Sequence, residues 1–125
     1  MKLRTKKQVF QIPENPIDDS PVFFVSPMTP KEVKIILDEC SGHEWDQGQR
    51  FDTFDYYAFR IKKIDKIIGD WKNVEDENGN PLPCTLTNKE IVALYNTELI
   101  DKVLAQVDAL TKKMEVDLQG TEKNS

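Results

Sequence analysis

At 125 residues, 38% of them hydrophobic, the chain holds enough apolar material for one modest core and about one domain. No apolar run approaches the roughly 20 residues that cross a bilayer. No apolar segment with a small-residue cleavage site follows the basic N-terminus, so a cytoplasmic protein is expected. A formal charge of −5 argues against nucleic acid as a partner, since phosphate binding needs an excess of Lys and Arg.

Residues 1–20 read as a flexible or partly extended arm carrying Lys2, Arg4, Lys6 and Lys7, broken by Pro13 and Pro16, with at most a short strand around Lys7–Ile12. A single globular domain is expected over 21–116. Pro21–Ser26 is a β-branched and aromatic run bounded by prolines, which predicts a strand. Thr29, Pro30 and Glu32 then form a cap, a first helical position and a capping box. They predict a helix to Cys40 that buries Val33, Ile36, Leu37 and Cys40 and stops at Ser41-Gly42.

The polar stretch His43–Gln49 predicts a turn. Phe51, Phe54, Ala58, Ile61, Ile64 and Ile68 recur every three or four residues, predicting a second helix from about Asp52 to Ile68 with Gly69 as a left-handed cap. Arg60, Lys62, Lys63 and Lys66 decorate that helix and read as a solvated face. Asp76-Glu77-Asn78-Gly79 predicts a hairpin over 71–84, whose second arm, bearing Pro81 and Pro83, must be an edge strand or an extended segment. A short helix is expected from Thr87, with Glu90 completing a capping box and Ile91, Leu94 and Tyr95 on its apolar face. A last helix, re-capped at Asn96-Thr97, carries Leu99, Val103, Val107, Leu110 and Met114 on one face; residues 117–125 read as a disordered tail. The fold class is thus α+β: a mostly helical single domain with a small antiparallel β element, a strand near 21–26 and a hairpin near 71–84.

Catalytic chemistry is sparse. His43 is the one histidine, and Cys40-x-x-His43 with Glu44 resembles half a metal site without the second pair that a structural zinc needs. Cys40 and Cys84 read as free thiols, Cys40 on an apolar helix face where a thiol is inert. Asp76, Asn78 and Asn80 stand at calcium-loop positions one, three and five, but position six is Pro81 and position twelve is Thr87. No glycine-rich loop cradles a phosphate. These absences argue for a binding protein with no catalytic, cofactor or metal residues. Four aromatics at element ends or off the apolar stripe, Trp45, Tyr56, Tyr57 and Trp71, are candidate partner contacts or lids on the core.

The segment Gly69, Trp71, Val74, Asp76, Asn78, Gly79, Pro81, Pro83 and Thr87, followed by Ile91 and Leu94, resembles the bacteriophage tail assembly chaperones. The aromatic strand Val22–Val25 and the helix start Met28-Thr29-Pro30 fit the same order, so the resemblance spans about 21–110. The basic arm departs from that pattern. The resemblance implies a host-cytoplasmic, non-catalytic protein, absent from the mature virion, that binds the tape-measure protein and recruits tail-tube subunits. A structural minor tail or head–tail joining subunit, and a small metal-dependent enzyme or regulator using Cys40, His43 and Glu44, are the competing expectations.

Overall fold

The computed structural model describes residues 2–123, with side-chain surroundings given through residue 113. The chain is an α+β domain. In chain order it forms β1 (Phe10–Ile12), β2 (Val22–Val25), α1 (Pro30–Cys40), β3 (Ser41–Asp46), β4 (Gln49–Phe54), α2 (Tyr56–Ile67), β5 (Ile68–Lys72), α3 (Leu86–Tyr95) and α4 (Thr97–Lys123). Two antiparallel sheets result: β1-β2-β5, and a separate ribbon of β3 and β4.

The proline-bounded run VFFV becomes the middle strand of the three-stranded sheet, where β-branched and aromatic side chains pack well. Phe23 stands opposite Ile12 on one side and Trp71 on the other, and these side chains line the core face. Ile64 and Ile67 of α2, Val92 and Ala93 of α3, and Ile100, Val103, Leu104 and Val107 of α4 pack into the same core. Each fully buried aliphatic side chain contributes roughly 1.5–3 kcal/mol of transfer free energy.

Gly69 does not cap α2. The helix passes into β5 without a loop, Ile68 is extended (φ −88°, ψ 104°), and the last-turn carbonyl of Ile67 accepts from the Ser26 amide at 2.9 Å. Gly69 is instead the extra residue of a β-bulge, because Phe24 pairs with Asp70 while Val25 pairs with Ile68. The bulge has a purpose in the packing. Ile68 and Trp71 are three residues apart and would point to opposite faces of a regular strand; the added residue turns both into the core.

The hairpin expected over 71–84 is replaced by two separate features. Trp71 belongs to β5 and pairs with β2, while the Asn78-Gly79 turn closes a loop with one isolated bridge, Glu75 to Pro81. Pro81 and Pro83 supply no amide, so the return arm stays outside the sheet as an extended segment. The Asp76 carboxylate organises the turn by accepting from the amides of Asn78 and Asn80, both at 2.9 Å. The Asn80 amide in particular holds that carboxyl below its ordinary value.

The largest departure lies at 41–54. Where the sequence predicts a turn followed by a helix start, β3 and β4 form a hairpin through Gln47 (φ 51°) and Gly48 (φ 78°). Phe51 and Phe54 leave the expected helical stripe, and α2 begins only after Asp55, whose side chain accepts from the Ala58 amide. The ribbon joins the body at its base, where the Asp55 amide donates to the Cys40 carbonyl and Phe54 packs on Tyr56 and Phe59.

Helix α1 keeps its predicted start. The Glu32 amide donates to Thr29 Oγ1 at 3.2 Å and the Thr29 amide to Glu32 Oε1 at 3.0 Å. Ile36 and Cys40 are buried as expected, but Leu37 is exposed. Burial alone raises the Glu32 carboxyl, yet the hydrogen bonds and charge of Lys7, with the Thr29 donors, outweigh it and hold the group below 4.5. A depressed folded value means that this contribution is present above the unfolded pKa and lost as pH falls through the folded one. Thr29→Ala is expected to cost about 1 kcal/mol. Glu32→Gln should destabilise at neutral pH, with the difference from wild type vanishing in acid; urea midpoints measured down the acid limb check both, and a constant Glu32→Gln difference at every pH refutes the linkage.

In α3 the cap is Thr85, which accepts from the Asn88 amide, so the Thr87–Glu90 capping box is not formed. The helix also packs on a different face from the expected one: Lys89, Val92 and Ala93 are buried, and Ile91, Leu94 and Tyr95 are exposed. In α4 Ile100 and Leu104 join Val103 and Val107 in the core, whereas Leu99 faces outward. The Met114 side chain lies outside the described residues. The expected tail over 117–125 coincides with the last turns of α4, and with two residues outside the described ones.

Candidate functional site

The reversal of α3 creates the most developed surface feature. Ile91 and Tyr95, one turn apart, continue into Leu99 at the start of α4 and form one wall of an open groove of about 550 Å³. Phe23, Val74, Leu82 and Val92 form its apolar base. The opposite rim is the acidic turn Glu75-Asp76-Glu77, and among the described residues no Lys or Arg lines the groove. The loop before β2, whose Pro21 lines the groove, is tied to the end of β5 by Asn73 Nδ2 donating to the Ser20 carbonyl at 3.2 Å. Exposed isoleucine, leucine and tyrosine on a helix whose other face is packed make an apolar strip bordered by negative charge.

Trp71 supports this groove from beneath. It is only 7% exposed, meets Phe23 edge-to-face with ring centroids 6.2 Å apart, and donates from Nε1 to the Leu82 carbonyl at 2.7 Å. It is therefore not a partner contact in this fold: the bulge at Gly69 turns it inward, and its hydrogen bond pins the loop that forms the groove rim. Trp45 and Tyr56 are 67% and 78% exposed. Tyr57 is half-exposed, and its hydroxyl donates to Glu90 Oε1 at 2.7 Å, tying α2 to α3 and raising the phenol above its ordinary value.

These three aromatics do not share the groove. Trp45 lies on the ribbon, beside His43 (centroids 6.5 Å apart), while Phe51 occupies the opposite ribbon face. A broader concavity of about 640 Å³ lies along the ribbon between Ser41, His43, Arg50, Asp52, Phe54 and Tyr56. Its lining mixes polar and apolar surface about evenly and is walled by two strands with exposed faces, whereas the groove is backed by the core.

Cys40, His43 and Glu44 do not converge. Cys40 is buried at the end of α1, and His43 and Glu44 alternate to opposite faces of β3. Among the described residues no group of three or more His, Cys, Asp and Glu side chains is arranged to hold a metal ion. Cys84 is half-buried, and burial pushes its thiol above the ordinary value, which disfavours a nucleophilic thiolate. Among the described residues no helix is long and apolar enough to cross a membrane.

The groove was not visible in the residue order. Ile91, Tyr95 and Leu99 look like core residues at helical spacing. The available signal was that α3 is apolar all round (Leu86, Ile91, Val92, Ala93, Leu94 and Tyr95), which implies two partners for one helix. No known protein family, curated protein or solved structure matches this chain.

Proposed function

We propose that this protein is a non-catalytic binding protein of the phage tail assembly chaperone type, acting in the host cytoplasm by binding the tape-measure protein and recruiting tail-tube subunits. The observation that supports this reading is the groove between the acidic turn and α3–α4. Its width of exposed Ile91, Tyr95 and Leu99 suits the apolar stripe of an amphipathic helix, and helix-in-groove docking needs no chemistry beyond burial. The acidic surround keeps such an apolar strip soluble and disfavours groove-to-groove association.

Co-expression with the tape-measure protein tests the proposal. The wild-type chain is expected to keep that protein soluble and to co-purify with it. Ile91→Asp combined with Leu99→Asp should leave the fold intact, since both side chains are exposed, yet weaken capture at least about tenfold through lost apolar contact. If the tape-measure protein is equally soluble alone, or binds the double variant as well as wild type, the reading is wrong.

A further inference from the structure

The groove and the basic arm lie at opposite ends of the sheet. The start of β1 pairs at Val25, so the arm leaves the body beside Ile68; it is held there by Ser26 Oγ donating to the Gln8 carbonyl at 2.8 Å and by the Lys7–Glu32 ion pair. The acidic turn follows Lys72, which pairs with Val22 at the other end. Among the described residues Lys2, Arg4 and Lys6 make no ion pair, and Leu3 is 75% exposed. In an extended segment residues alternate, so Lys2 and Arg4 share one face and Leu3 the other, ahead of the bend at Lys6. That pattern complements the groove: cations meet Glu75 and Glu77 on the rim, and Leu3 meets the apolar wall. Lys72 adjoins the acidic end without lining the groove.

We infer that the arm of one copy occupies the acidic groove of a second copy, giving head-to-tail self-association. Its own groove is out of comfortable reach. Five free residues span at most about 17 Å, while the acidic rim at Glu75 and Glu77 follows the far end of β5, a strand about 16 Å long. The complementary surfaces are different patches of one molecule, so the contact is heterologous and propagates to chains or rings. It goes beyond the proposed function, because it requires no partner protein.

Sedimentation velocity on the full chain, at low and high salt, tests it. Wild type should form species larger than a dimer as concentration rises, and dissociate at about 1 M salt, where the Debye length is about 3 Å. Removal of residues 2–6, and separately E75K with E77K, should each weaken self-association about tenfold, as expected for losing two or three exposed ion pairs and one apolar contact. Asp76 is left unchanged in the second variant because it organises the turn. Mixed together, the two variants should form a one-to-one complex that grows no further, since one supplies only a groove and the other only an arm. A wild type that stays monomeric at low salt overturns the inference. So does association that survives loss of residues 2–6, or a mixture that remains monomeric while both variants give wild-type circular dichroism. Capture of the tape-measure protein by the chain lacking residues 2–6 would separate failure of this inference from failure of the proposed function.

Discussion

Trp71→Ala is expected to lower the stability of the fold by about 3–5 kcal/mol, the cost of emptying a large aromatic site that cannot collapse. The indole is the hinge of three things at once. It completes the core face of β5, it meets the edge of Phe23 in the middle strand, and its N–H holds the Leu82 carbonyl. Trp71→Phe keeps most of the volume and loses the hydrogen bond, so about 1 kcal/mol is expected from the unmade bond plus a smaller packing loss. Urea unfolding followed by far-ultraviolet circular dichroism gives both numbers. Tryptophan emission adds a local check: with Trp45 changed to Phe, the remaining signal should be blue-shifted in the folded state, as a buried indole requires. A Trp71→Ala variant with an unchanged urea midpoint would refute the placement.

Removing the carboxylate of Asp65 should be more harmful than removing the lysine it serves. Lys89 is buried, its side chain 8% exposed, and its ammonium donates to Asp65 Oδ1 at 3.0 Å and to the Asp65 carbonyl at 3.2 Å. Asp65→Ala leaves a desolvated cation with one neutral acceptor, at an expected cost of about 2–3 kcal/mol; the fuller penalty of a deeply buried pair is reduced because Asp65 is partly solvated. Lys89→Met substitutes an apolar chain of similar length beside Val92 and is expected to change stability by less than about 1 kcal/mol. The double variant should therefore recover most of the loss seen in Asp65→Ala. Thermal or urea unfolding of the three variants decides it, and an Asp65→Ala variant more stable than Lys89→Met would show that the pair is not balanced in this way.

Where local chemistry was decisive, the residue order could be read directly. The strand at 22–25 is bounded by prolines and has no competing pattern, and the Thr29–Glu32 box fixes one end of α1. The ribbon was hidden because Phe51 and Phe54 sit at spacings that also suit a helix, and only the pairing of β3 with β4 breaks the tie. Asn78-Gly79 is a better hairpin signal than Gln47-Gly48, yet Pro81 and Pro83 deny the first a ladder while nothing denies it to the second. Gly69 suited a helix stop and a bulge equally well; the need to bury both Ile68 and Trp71 selected the bulge. The groove depends on which face α3 turns to the core and on four segments meeting, so no window of sequence contains it.

The β3–β4 ribbon has a practical corollary. A two-stranded hairpin is marginal on its own, and this one touches the body chiefly through Phe54 and the Asp55–Cys40 bond at its base. Its tip at Gln47-Gly48 is thus energetically insulated from the core and stands apart from the groove lining. A fluorophore, affinity tag or crosslinker spliced into that tip would report on the molecule without touching the parts that hold it together.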